Sequence, residues 1–132
     1  MAVAELASQQ KLLVVVVPRS ASAAALEREL PLFSSAPLNI LTLPDWETLP
    51  YDNFSPHQDI VSERLATFHQ LQDIATGILI VPITTLMQRT PPVHYVAGNS
   101  LVLDVGQALD SKTLIHNLTL NGYRAVDTVY EH

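Results

Sequence analysis

Six consecutive aliphatic residues, Leu12 to Val17, are the strongest apolar signal in the chain. A strand apolar at every position has both faces covered, so the run predicts a central strand of a parallel sheet flanked by helices. Pro18 closes it. From Ser20 to about Phe33 the sequence is Ala-rich, with Leu26, Leu30 and Phe33 at helical spacing and Glu27, Arg28 and Glu29 opposite them, which predicts an amphipathic crossover helix. Leu38 to Leu43 reads as a second strand. Ile78 to Val81, introduced by Gly77 and stopped by Pro82, reads as a third. Between them, Ser55-Pro56-His57-Gln58 has the form of a helix start. Ser55 stands as N-cap, Pro56 at the first helical position, and Gln58 where it completes a capping box. Ile60, Val61, Leu65, Phe68 and Leu71 supply the buried stripe of that helix. Strand–helix–strand–helix–strand order predicts a doubly wound α/β layer with right-handed crossovers.

After Thr90-Pro91-Pro92 the pattern changes. Ser100 to Val105 alternates like a half-buried strand, and Asp110 is the expected N-cap of a helix carrying Leu114, Ile115 and Leu118, with Gly122 as its stop. Val126 and Val129 alternate again just before Glu131-His132. The expected organisation is one unit over 1–97 and the truncated start of a second, α+β unit over 98–132.

The 132 residues, 48% hydrophobic and 15% charged, suit a folded chain that can bury a core without a metal or disulfide. There is no cysteine, which removes thiolate nucleophiles and zinc-thiolate sites. A formal charge of −6, with seven basic residues scattered along the chain, makes duplex DNA a poor direct partner. No apolar run approaches the roughly 20 residues of a membrane-spanning helix, and no basic-then-apolar leader opens the chain, so the expected setting is the cytoplasm with no membrane partner.

A phosphate-binding loop is excluded by residue type. The only glycines are Gly77, Gly98, Gly106 and Gly122, and the only lysines are Lys11 and Lys112, so there is neither a Gly-rich cradle nor a Gly-Lys pair. The turn after the first strand, Pro18-Arg19-Ser20, offers one cation without close backbone approach.

The densest polar cluster is residues 43–59. Asp45, Glu47, Asp52, His57 and Asp59 could supply oxygen ligands and one imidazole to a divalent metal, which would make the chain a small metal-dependent or ligand-binding α/β enzyme. The same residues also read as turn and cap formers. Three prolines punctuate the stretch, Asp52 suits a turn, and Asp59 sits in a first helical turn where a carboxylate favours the macrodipole. Trp46 and Tyr51 read as packing aromatics whose N–H and O–H find partners at the rim of the unit.

"LPDWETLPYDNFSPHQDIVSERL", "GILIVPITTLMQR" and "LVLDVGQALDSKTLIHNLTLNGYRAVDTVYEH" together closely resemble the amino-terminal region of the bacterial transcription-repair coupling factors, the Mfd family. That region is in turn similar to the excision-repair protein UvrB. The resemblance implies a partial doubly wound, Rossmann- or RecA-like sheet. It implies that 1–97 is a UvrB-like domain 1a without phosphate loop, and that 98–132 begins a UvrB-like domain 2. It also implies a longer parent that displaces stalled RNA polymerase from damaged DNA by ATP-driven translocation, with ATP and Mg²⁺ in its motor, and that recruits UvrA through the UvrB-like module. The chain itself is expected to carry no catalytic, cofactor-binding or metal residue. The family segment that touches UvrA follows Glu131-His132. On this reading Asp45, Trp46, Glu47, Tyr51, Asp52, Ser55, His57 and Asp59 form a signature loop serving turns, caps and contacts with other domains of the same parent, where UvrB inserts a DNA-clamping hairpin.

Overall fold

The structure, a computed structural model, describes residues 12–49, 51–99, 101, 103 and 105–128, together with Val3. Among these residues the chain divides into two compact units, Met1–Ala97 and Gly98–His132.

In the first unit, β1 (Leu12–Val17), β2 (Ile40–Thr42) and β3 (Gly77–Pro82) form a parallel sheet in the order β1-β3-β2. Leu13 stands opposite Ile78 and Val15 opposite Ile80, while Ile40 flanks Ile78 from the other side. Alternate residues therefore feed opposite faces. Ile78 and Ile80 meet Ala23 and Leu26 of α1 (Ser20–Glu29) on one face. Leu79 and Val81 meet the layer containing Phe68 and Leu71 of α2 (Gln58–Asp73) on the other. Helices on both faces of a parallel sheet make this a mixed α/β layer, as the element order predicts, although with three strands it is a partial one.

The central strand is β3, not β1. All six residues of β3 are buried, and burying a side chain such as Ile78 or Ile80 contributes roughly 1.5–3 kcal/mol. β1 lies at the edge of the described sheet, and Val14 and Val16 remain 48% and 46% exposed. The cause is coverage. α2 sits over β2 and β3 through Phe68 and Leu71 and leaves that face of β1 open. Gly77 is the point of closest approach, since a Cβ there would lie 2.6 Å from the Asn39 carbonyl oxygen, which accepts the Ile78 N–H at 2.8 Å.

Several expected boundaries move for local reasons. The first helix stops at Glu29, and Leu30–Phe33 tighten into a 3₁₀ turn around Pro31, which leaves Leu30 buried but turns Phe33 outward. β2 shortens to three residues. Ser55 is not the N-cap of α2. The backbone stays extended through His57, whose ring Nδ1 accepts the Asp59 N–H at 3.4 Å, so the helix begins at Gln58. The same Nδ1 lies 3.3 Å from the Asp59 carboxylate. It can accept from the amide only while unprotonated and donate to the carboxylate only when protonated.

The buried stripe of α2 is also rotated. Its two buried residues are Arg64 and Thr67, while Leu65 is exposed. Thr67 Oγ1 donates to Thr42 O at 3.2 Å and Glu63 O at 2.9 Å, tying the helix to the end of β2. Two short helices not anticipated from the sequence follow β3, namely α3 (Ile83–Leu86) and α4 (Val93–Asn99).

In the second unit, α5 (Ser111–Leu120) begins at Asp110, whose carboxylate accepts from the Lys112 N–H at 3.2 Å and from the Thr113 hydroxyl. These two donors, Thr113 first, hold the Asp110 carboxyl below its ordinary value. The helix ends in a Schellman motif. Tyr123 N–H reaches Leu118 O, Gly122 N–H reaches Thr119 O, and Gly122 takes the left-handed conformation at φ 87°. Both ends were legible in the sequence. The expected strand at 100–105 does not form as written: Leu101 and Leu103 are outside any strand and Val105 lies in a turn, while Ser100, Val102 and Asp104 lie outside the described residues. Val126 is likewise not in a strand, and Val129, Glu131 and His132 lie outside the described residues. A strand needs a partner for its amides, and no sheet is present among the described residues of this unit. Among the described residues, no helix is long and apolar enough to cross a membrane.

Candidate functional site

In doubly wound sheets the carboxyl ends of the strands are where ligands are usually held. Here side chains bridge the ends of β2 and β3. The chain leaves β2 through Leu43 and Pro44, and Asp45 is thereby brought beside the start of α3, which leaves β3. The Asp45 carboxylate accepts from Thr84 Oγ1 at 2.7 Å, Gln88 Nε2 at 2.9 Å and the Trp46 N–H at 2.9 Å. Burial works against its charge. The hydrogen bonds from Thr84, Gln88 and Trp46 outweigh that penalty, and the Asp45 carboxyl is held below its ordinary value.

Arg64 reaches the same place from α2. Its side chain is 1% exposed, its Nη1 donates to Pro44 O, and its guanidinium carbon lies 4.1 Å from the Trp46 ring centroid and 5.9 Å from that of Phe68. Burial lowers the Arg64 pKa, and the charge of Asp45 opposes that shift. Arg64 Nε and Nη2, Thr85 Oγ1 and Gln88 Oε1 are buried without a hydrogen-bond partner. The arrangement is a clamp. It fastens the loop after β2 to α2 and α3 through one carboxylate, one guanidinium and one indole.

Asp45 already accepts three hydrogen bonds, which favour its charged form. Arg64 is closed off from solvent.

The structure scatters the other residues of the signature loop. Glu47 is exposed at φ 57°. Asp52 closes a turn, its Oδ2 accepting the Leu49 N–H at 2.7 Å while its own N–H reaches Leu49 O at 3.1 Å. His57 and Asp59 form the helix start, and Ser55 is exposed. Tyr51 is not a packing aromatic: it is 103% exposed, with its backbone in the left-handed conformation at φ 74°. Trp46 does pack, against Arg64. Among the described residues, no three His, Asp or Glu side chains gather where they could hold a metal ion.

Arg64, Thr84 and Gln88 were missed from the sequence. Arg64 could have been found, because positions 60, 64, 67, 68 and 71 make a better helical stripe than one through Leu65, at the cost of placing an arginine in the core. Thr84 and Gln88 carry no local signal, since only the fold brings them to Asp45.

Fold and site define an α/β domain with a parallel sheet in which a polar clamp bridges the ends of β2 and β3. No protein-family model matches the sequence. The chain is a homologue of the bacterial transcription-repair-coupling factors along nearly its whole length, as its motifs implied. It is 46% identical over 119 residues to the transcription-repair-coupling factor of Escherichia coli (strain K12), covering 90% of this chain and 10% of that protein. To that of Haemophilus influenzae it is 45% identical over 133 residues, covering 100% of this chain and 11% of the relative. The factor of Myxococcus xanthus is 34% identical over 86 residues, 64% of this chain and 7% of the relative. The chain thus spans about a tenth of the length of the first two relatives.

Proposed function

We propose that this chain is a non-catalytic part of a transcription-repair coupling factor, serving as an interaction scaffold within a UvrB-like module. The whole protein would displace stalled RNA polymerase from damaged DNA with an ATP-driven motor lying outside this chain. It would recruit UvrA for excision repair through the complete module, of which 1–97 corresponds to domain 1a and 98–132 to the start of domain 2. The observation that carries the reading is the clamp. Asp45, Thr84, Gln88, Arg64 and Trp46 bridge the carboxyl ends of β2 and β3 with side chains that bond to one another, on the edge of the sheet where α/β relatives place ligands. The sequence adds that no Gly-Lys cradle exists to hold phosphate.

Two measurements test it. Calorimetry with ATP and Mg²⁺ is expected to give no heat of binding, and micromolar affinity abolished by Arg19→Ala would overturn the non-catalytic reading. Replacing the matching segment of the E. coli coupling factor with this chain is expected to preserve capture of UvrA, and loss of capture by a folded graft would overturn the scaffold reading.

A further inference from the structure

Among the described residues, β2 closes one end of the sheet, with β3 beside it and no strand beyond. Its pairing fixes which backbone groups are used. Asn39 O accepts the Ile78 N–H at 2.8 Å and the Leu43 N–H donates to Ile80 O at 3.0 Å, so Asn39, Leu41 and Leu43 turn their backbone groups toward β3. Successive residues of a strand alternate in this respect, and the groups of Ile40 and Thr42 point away from the sheet. The Thr42 carbonyl accepts from Thr67 Oγ1 at 3.2 Å. The N–H groups of Ile40 and Thr42 and the Ile40 carbonyl are left for a strand alongside, and an edge of this kind is a template for pairing.

That edge opens into two adjoining hollows. One reaches Asp73, the other Glu27 and Glu63, and Ile40, Leu41 and Gln70 line both, so the two run on as one trough beside the strand. Its charge is of one sign. Glu27 comes from α1 on one face of the sheet, Glu63 and Asp73 come from α2 on the other, and all three are exposed. Among the described residues, no lysine or arginine lines either hollow.

These features select the occupant. Unused main-chain groups along a strand call for an extended segment. Carboxylates on both faces call for basic side chains, which a strand delivers to each face in turn. A second copy of this chain is disfavoured, because edge-to-edge pairing would bring two sets of carboxylates together.

We infer that the free edge of β2 is a docking site for an extended, lysine- or arginine-bearing segment of a separate partner protein, which adds to the sheet as a further strand. The inference goes beyond the scaffold reading, since it needs neither UvrA nor the remainder of a coupling factor.

The test titrates the chain with fluorescein-labelled Lys-Val-Lys-Val-Lys-Val and with the same peptide N-methylated throughout, which keeps the charge and removes every main-chain donor. Fluorescence anisotropy at about 0.15 M salt is expected to show binding at least about tenfold tighter for the unmodified peptide. Glu27→Gln with Glu63→Gln is expected to weaken that binding at least about tenfold, with amide exchange of β3 confirming the fold of the variant. Saturating peptide is expected to slow amide exchange at Ile40 and Thr42, whose N–H groups face outward. Undetectable binding, equal affinity for the N-methylated peptide, an unchanged Kd in the double variant, or unaltered exchange at Ile40 and Thr42 would each overturn the inference. A dimer of the chain that the peptide dissociates, seen by sedimentation, would assign the edge to a second copy and overturn it as well. Binding to the chain alone but not to E. coli coupling factor carrying this chain in place of its matching segment would assign the edge to the rest of that polypeptide, with the same consequence. Loss of UvrA capture with peptide binding intact would strike the proposed function and leave this site standing.

Discussion

The guanidinium of Arg64 lies 4.1 Å from the centre of the Trp46 ring, and the two residues come from different elements, one from a helix and the other from the loop after β2. An arginine in a core is costly to desolvate, and here only Nη1 has a hydrogen-bond partner, while Nε and Nη2 have none. What offsets the cost is contact with the indole face, the Pro44 carbonyl and the field of Asp45.

The clamp predicts a contrast between two substitutions. Arg64→Met keeps the packing against Trp46 and removes the unpartnered Nε and Nη2 groups but leaves the Pro44 carbonyl without its donor, so it is expected to cost roughly 1–3 kcal/mol. Arg64→Ala leaves a cavity beneath the indole and is expected to cost roughly 2–5 kcal/mol. Urea unfolding followed by Trp46 fluorescence measures both. Equal losses would mean that the charge, not the packing, sustains the clamp.

Asp45 makes stability depend on pH. Its carboxyl is bound more strongly charged than neutral in the folded state, so its contribution is complete above the ordinary aspartate value of 3.8 and is lost as pH falls below it. The chain and its Asp45→Asn variant are therefore expected to differ most near neutral pH and to converge as pH falls below the ordinary aspartate value. Unfolding free energies from about pH 6 downward provide the check. A constant difference would remove Asp45 from the linkage.

At the start of α2 the cap is His57. His57→Ala is expected to cost roughly 0.5–1 kcal/mol at neutral pH, near the low end for lost caps. Ser55→Ala, at an exposed position outside the cap, is expected to stay within about 0.5 kcal/mol. Thermal melts of the two variants decide which residue caps the helix.

Gly77→Ala would place a methyl carbon 2.6 Å from the Asn39 carbonyl oxygen and 2.9 Å from Ile74 Cδ1. The carbonyl cannot retreat without weakening its bond to the Ile78 N–H, so the expected loss is roughly 1–3 kcal/mol. Denaturant titration measures it.

Metal addition separates scaffold from enzyme. Mg²⁺, Mn²⁺ and Zn²⁺ are expected to leave the melting temperature unchanged, whereas a real site would add about 2.7 kcal/mol at a hundredfold excess over its dissociation constant. A metal-dependent rise that disappears in Asp52→Asn would revive the acidic loop as an active site.

The sequence by itself determined the elements whose causes are local. Leu12–Val17 and Gly77–Pro82 are strands because their residues are aliphatic over the right length, and α5 begins at Asp110 and ends at Gly122 because capping acts within a few residues. It also determined the relationship to coupling factors, through motifs that persist as contiguous strings. Strand order and the clamp were beyond its reach. β1 and β3 are both apolar throughout, and only the path of α2 across the sheet makes one central and leaves Val14 and Val16 of the other open. Asp45 and Gln88 are 43 positions apart, and Asp45 and Thr84 are 39 apart. Hydrogen bonds at such separations leave no periodic trace in a chain. They exist because two parallel strands end side by side, and that is decided by the sheet.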